Sequence, residues 1–250
     1  MAKLSKRILP YLTSRGNPGT TGFSPWGSMF FLLTSYFLLL TILTTAPALV
    51  FADEIPTEFD SLPPEVRQAV VVEATGKMTA RVSGWERKDA GWAQVISPVK
   101  AVIGRKGLAP KGEKREGDGR TPSGVFALRR AFGYEEEVPT GLVYQRVTER
   151  DFWIDDPGSL QYNQWVAGDV PRVSHEVLRR RDNLYKYAVV IEYNANPVVP
   201  GMGSAIFLHV WRGANKPTAG CVAMAEIDLL RLLQWLDARQ NPAILLKRSP

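Results

Sequence analysis

Ala205-Ile206-Phe207-Leu208-His209-Val210-Trp211 alternates without a break: Ile206, Leu208 and Val210 fall on one side, Phe207, His209 and Trp211 on the other. A period of two is the signature of an extended chain, so this stretch reads as a β-strand with a histidine near its end. The same reading extends outward. Ala69–Thr75, Met78–Glu86, Trp92–Ile96, Ala101–Ile103, Gly124–Leu128 and Tyr187–Tyr193 are strand-like, with Gly76, Gly84 and Asp89-Ala90-Gly91 as turn punctuation. Helical periodicity is confined to Ser174–Arg181 and Glu226–Arg239. In the second segment Leu229, Leu232, Leu233 and Leu236 form an i, i+3, i+4, i+7 stripe before Asn241-Pro242. The expected fold class is mainly β, with a few short helices.

The chain has 250 residues, and its first 52 differ from the rest. Lys3, Lys6, Arg7 and Arg15 precede an apolar run, Met29–Leu43, and Val50-Phe51-Ala52 places small residues three and one before Asp53. Residues 1–52 therefore read as an export signal cut ahead of Asp53, with an uncleaved anchor as the alternative. The absence of a paired Arg-Arg signal points to the general secretory route. Residues 53–67, with Pro56, Pro63 and Pro64, form an extended lead-in, and 68–250 is one domain. The net charge of +6 is mostly a property of the leader. Beyond residue 52, 27 Lys and Arg face 25 Asp and Glu, a balance that gives no reason to expect a nucleic-acid partner. Membrane contact is expected only through the N-terminal segment, if it stays uncleaved.

An exported chain with one cysteine cannot close an internal disulfide, and Cys221 stands in Pro217-Thr218-Ala219-Gly220-Cys221, twelve residues after His209. A strand end and a loop leading into a helix can meet in space. Cys221 then reads as a nucleophile with His209 as its base, against the alternative of a buried structural cysteine. Gly220 would let the backbone approach a substrate carbonyl, so the amides of Gly220 and Cys221 are expected to form an oxyanion pocket. With two histidines and one cysteine, no metal site of ordinary ligand spacing is expected, and no cofactor.

His209-Val210-Trp211-Arg212-Gly213, followed by Thr218-Ala219-Gly220-Cys221-Val222-Ala223-Met224, resembles the catalytic signature of the L,D-transpeptidase (YkuD-type) family. Upstream, Gly117-Asp118-Gly119-Arg120-Thr121-Pro122-Ser123-Gly124-Val125-Phe126 is similar to that family's Gly-Asp-x-x-Thr-Pro-x-Gly-x-Phe segment. The two motifs together are specific; either alone is weak. The resemblance spans about residues 68–247. It implies a β-sandwich or barrel-like sheet and a cell-envelope or periplasmic enzyme acting on peptidoglycan stem peptides. In it, Cys221 would attack the carbonyl of meso-diaminopimelate in a tetrapeptide stem, expel D-alanine and pass the acyl group to an amine. Thr218, Gly220, Arg212 and Gly213 are the implied oxyanion and substrate-binding positions. Water as acceptor would make the same site an L,D-carboxypeptidase or related hydrolase, and a silent module would only bind peptidoglycan.

The chain departs from the family pattern where Ala219 replaces a histidine and Ala223 an arginine, and its His-to-Cys interval is short. Arg212 is the nearest candidate for the missing arginine's role. Other residues receive plainer readings. His175 is expected at the front of the short helix with Ser174 as cap. Arg179-Arg180-Arg181 is read as an exposed basic turn on that helix, Asp155-Asp156 as a turn before Pro157-Gly158, and Tyr162, Asn163 and Trp165 as possible groove residues.

Overall fold

The computed structural model describes residues 55–249; the leader over 1–52 lies outside them. The chain runs β1 (Gln68–Ala74), β2 (Thr79–Lys88), β3 (Gly91–Val102), β4 (Gly124–Gly133), β5 (Val143–Arg146), β6 (Asp151–Ile154), β7 (Trp165–Ala167), β8 (His175–Val177), β9 (Tyr187–Ile191), β10 (Phe207–Val210), β11 (Val222–Met224), α1 (Glu226–Trp235) and β12 (Ala243–Arg248). Nine strands make one sheet in the order β12-β1-β2-β3-β11-β10-β9-β4-β5, and β12 also pairs with β4. That extra pairing closes the sheet into a barrel. Gly124–Ala127 of β4 run beside β12, while Leu128–Gly133 run beside β9. The mainly β, barrel-like expectation matches what is seen.

Closure creates an inside, and alternating side chains fill it. Val70 and Val72 of β1, Leu208 of β10, Val222 and Met224 of β11, and Ile244 and Leu246 of β12 share one buried core. Leu229, Leu232, Leu233 and Leu236 join that core, so the stripe on α1 does what its spacing implies. Each buried leucine contributes about 1.5–3 kcal/mol by transfer from water. The helix ends at Trp235, short of the expected Arg239. Gln68 helps to end it there: its amide nitrogen donates to the Trp235 carbonyl at 2.8 Å, and its oxygen accepts the Asp237 N–H at 2.9 Å. The lead-in is also more structured than its prolines suggest. Thr57–Ser61 is a 3-10 turn that buries Phe59 against Trp85 and Trp92.

Between β5 and β9 the chain makes an excursion that carries the three-stranded sheet β7-β6-β8. A second core covers the outward face of β9 and β10, where Phe207 meets Phe132 (5.2 Å), Trp153 (5.0 Å) and Tyr185 (5.5 Å) edge to face. The helix expected over Ser174–Arg181 does not form. His175–Val177 instead pairs with β6, Glu176 opposite Trp153, and Leu178 is buried in the second core. Pairing and burial outweigh the helix propensity of Glu, Leu and Arg here. Phe207 is the side chain on which the second core turns. Phe207→Ala should cost about 3–5 kcal/mol in urea denaturation. Val125→Ala, at a partly exposed position on β4, should cost far less; equal losses would contradict the assigned packing.

Candidate active site

The parallel pairing of β10 with β11 sets Leu208 beside Val222 and His209 beside Ala223. Leu208 and Val222 point into the barrel, so their neighbours point out. Cys221, at the entrance to β11, and His209 therefore occupy diagonal positions on the outward face, and both line one cleft of about 240 Å³. The structure brings together the two residues that the sequence singles out.

Burial governs the state of both groups. Cys221 is 8% exposed; its S–H donates to the Ala205 carbonyl at 3.3 Å, and its sulfur accepts the Phe207 N–H at 3.4 Å. Loss of solvent pushes the thiol up to about 12, although the Phe207 N–H opposes this. His209 is 5% exposed, and burial pulls its pKa down to about 4 against the opposing pull of the Val210 carbonyl. That carbonyl lies 2.7 Å from Nδ1. A carbonyl can only accept, so Nδ1 carries the proton and Nε2 is left as the basic nitrogen. At neutral pH the pair is a neutral thiol and a neutral imidazole, with no hydrogen bond between them.

The backbone behind the thiol is fastened from two sides. The Cys221 carbonyl accepts from the Thr218 hydroxyl at 2.6 Å and the Thr121 hydroxyl at 3.2 Å. Each hydroxyl also accepts an amide, Gly220 N–H on Thr218 (3.2 Å) and Gly104 N–H on Thr121 (2.9 Å). Thr121 belongs to the Thr-Pro-x-Gly-x-Phe segment, one hundred residues from Cys221, so one hydrogen bond joins the two sequence motifs. The Gly220 amide is thus committed within its own loop rather than aimed at the cleft. Gly220 is needed for closeness: a Cβ there would stand 3.1 Å from the Arg120 carbonyl and 3.3 Å from Ile206.

The preceding loop is also pinned. Lys114 Nζ donates to Asp118 at 2.9 Å, and Asp118 accepts the amides of Arg115 and Arg120, each at 2.8 Å. Burial works against the Asp118 charge, but these N–H groups and the ammonium hold its carboxyl below the usual range. Glu116 accepts from Tyr162 and Ser204, both at 2.6 Å.

Of the other expected site residues, Thr218, Gly220 and Arg212 line the cleft and Gly213 does not. Arg212 is paired with Asp182 at 3.3 Å. Tyr162, Asn163 and Trp165 are not groove residues: Tyr162 and Asn163 are buried bracing groups, and Trp165 packs on Phe132. His175 stands outside the cleft on β8, its ring against Phe152. Asp156 does make the expected turn, accepting the Gly158 N–H. The basic cluster is misread by sequence alone. Arg180 lines the cleft, gripping Asp182 through two bonds of 2.8 Å and Glu176 through one of 3.2 Å. Asp155, Glu176 and Tyr185 line it too. The adjoining Arg180 and Asp182 were the available signal, hidden by the helical reading.

The family model for the L,D-transpeptidase catalytic domain (YkuD) matches residues 68–245. The chain belongs to this family. Among solved structures, the helical cell shape determining protein Pgp2 from Campylobacter jejuni is similar at 16% identity and a TM-score of 0.40. The match covers 74% of this chain and 48% of that one, so the chain spans about half the neighbour's length. No curated protein matches. Within this family member the protonation states yield a direct expectation. Thiols react as thiolates, so alkylation of Cys221 by iodoacetamide should accelerate by about tenfold per pH unit from pH 7 to 10 without levelling. A plateau near pH 7 would reveal a standing thiolate–imidazolium pair and contradict the neutral assignment.

Proposed function

We propose that this domain is a cysteine acyltransferase of the cell envelope, an L,D-transpeptidase acting on peptidoglycan stem peptides. The observation that carries the reading is the placement of a buried thiol and a buried neutral imidazole on one face of the sheet, in a cleft rimmed by Lys114, Arg180 and Arg212. A peptide rich in carboxylates suits such a rim.

Chemistry follows from the neutral pair. A thiol held high in pKa does not ionise beforehand, so its proton passes to His209 Nε2 as sulfur attacks the carbonyl before the terminal D-alanine. The C–N bond then breaks, the proton goes from His209 to the departing amine, and a thioester remains on Cys221. An incoming amine attacks the thioester and gives its proton to His209, which returns it to the leaving sulfur. Nδ1, tied to the Val210 carbonyl, keeps the ring oriented throughout. The cleft must shift slightly for this, because the S–H now points at Ala205. The basic and apolar composition of residues 1–52 supports export by the general secretory route, with cleavage after Ala52.

The test is turnover of intact sacculi and of disaccharide tetrapeptide, with products identified by mass spectrometry. Cys221→Ser should abolish activity, because a hydroxyl titrates far above even this thiol. His209→Ala should lose about 10²–10⁴-fold, the range for a general base, and His175→Ala should leave the rate unchanged. D-Alanine release without a cross-linked product identifies water as the acceptor. Equal turnover by wild type and Cys221→Ser would refute the assignment.

A further inference from the structure

Beyond residue 52 the chain is nearly neutral, with 27 Lys and Arg against 25 Asp and Glu, yet its charge is unevenly placed. Three stretches, 74–85, 90–112 and 193–225, hold no Asp or Glu, and the fold brings parts of all three together. Arg81 of β2 stands opposite Lys100 of β3, and both point outward, because Ala80 and Ala101 beside them fill the barrel. The Ile103 N–H donates to the Met78 carbonyl at 3.0 Å, which sets the turn carrying Lys77 against the chain that leaves β3. A Cβ on Gly107 would stand 3.0 Å from the Lys77 carbonyl, so Lys106 is next to that turn. The Arg105 N–H donates to the Thr218 carbonyl at 3.0 Å, and Thr218 lines the cleft. Lys77, Arg81, Lys100, Arg105 and Lys106 are all exposed, and they run from the outer face of β2 and β3 to the rim of the cleft.

The carboxylates that border this track are already engaged. Glu73, across from Arg81, lies 3.5 Å from Lys247, Glu58 lies 3.1 Å from the same ammonium, and Asp118 is held by Lys114 at 2.9 Å. Among the described residues none of the five cations forms a salt bridge. With Lys247 included, the surface holds six cations to two carboxylates, Glu58 and Glu73. Like charges set directly opposite each other, as Arg81 and Lys100 are, weaken a sheet, and an anion laid across them removes that cost. The cations are strung along two strands and a loop rather than gathered round one point. Such spacing suits a series of carboxylates on an extended polymer rather than a single small anion.

We propose that Lys77, Arg81, Lys100, Arg105 and Lys106 form a docking track for the carboxylates of intact peptidoglycan, outside the cleft that takes the reacting stem. The inference rests on the stem-peptide reading above, because continuity with the cleft at Thr218 is what selects this polymer over other polyanions.

The experiment measures co-sedimentation of full-length Cys221→Ala protein with intact sacculi, with and without the further changes Lys77→Gln, Arg81→Gln, Lys100→Gln and Lys106→Gln. Removing the four cations should weaken binding by about tenfold or more, the summed scale of four exposed ion pairs, and added salt should weaken only the parent protein to a similar degree. Sacculi whose carboxylates have been amidated should bind both proteins at the weaker level. With Cys221 restored, the fourfold variant should release D-alanine from soluble disaccharide tetrapeptide at the wild-type rate. Unchanged binding of sacculi by the variant, equal binding of native and amidated sacculi, or a matching loss of soluble turnover would each overturn the track. Binding to anionic phospholipid vesicles that responds to the four changes, while binding to sacculi does not, would overturn it in favour of a membrane. Salt-sensitive binding of sacculi without any tetrapeptide turnover by the wild type would refute the stem-peptide reading and leave the track standing as a peptidoglycan-binding surface.

Discussion

The register of β10 against β11 is the constraint on which the rest depends. Leu208 opposite Val222 fills the barrel, and only then do Phe207, His209 and Cys221 face outward. A slip of one residue would bury the imidazole among valines and expose Leu208, exchanging every side chain between the two cores. The barrel core and the second core therefore enforce the same alignment from opposite sides of the strand. Stability and site geometry are one requirement here.

Because the outward face is itself covered, both candidate reactive groups sit in a dry setting. Burial raises the thiol and lowers the imidazole, and these shifts oppose a resting ion pair. The protein keeps its single cysteine as a protonated thiol, its sulfur accepting the Phe207 N–H and its S–H donating to Ala205. Reactivity is then deferred until a carbonyl arrives. Thr121 and Thr218 hold the Cys221 carbonyl meanwhile, so the sulfur's backbone does not wander.

Most of the barrel was legible because β1, β2, β4, β9 and β10 carry strong apolar or alternating runs. β11 was not, since a three-residue strand has too few positions to show a period; Cys221 lies in the bend just before it, where the loop reading puts it. The closing strand β12 was overlooked because its apolar run, Ala243–Leu246, is only four residues long and borders a proline. Cys221 and His209 were recognisable from residue type and spacing. Arg180, Glu176 and Asp155 were not, because they reach the cleft on an excursion whose strands exist only through pairing with β6. Ser174–Arg181 has the composition of a helix, and the sheet overrides it.

The central claim is that Cys221 becomes acylated by a stem peptide. Intact-protein mass spectrometry after a brief incubation with tetrapeptide donor, without an amine acceptor, measures this directly. The account predicts one adduct equal in mass to the peptide less D-alanine, absent from Cys221→Ala and labile to hydroxylamine as a thioester should be. D-Alanine released at an unchanged rate by Cys221→Ala, with no adduct on the wild-type protein, would contradict it.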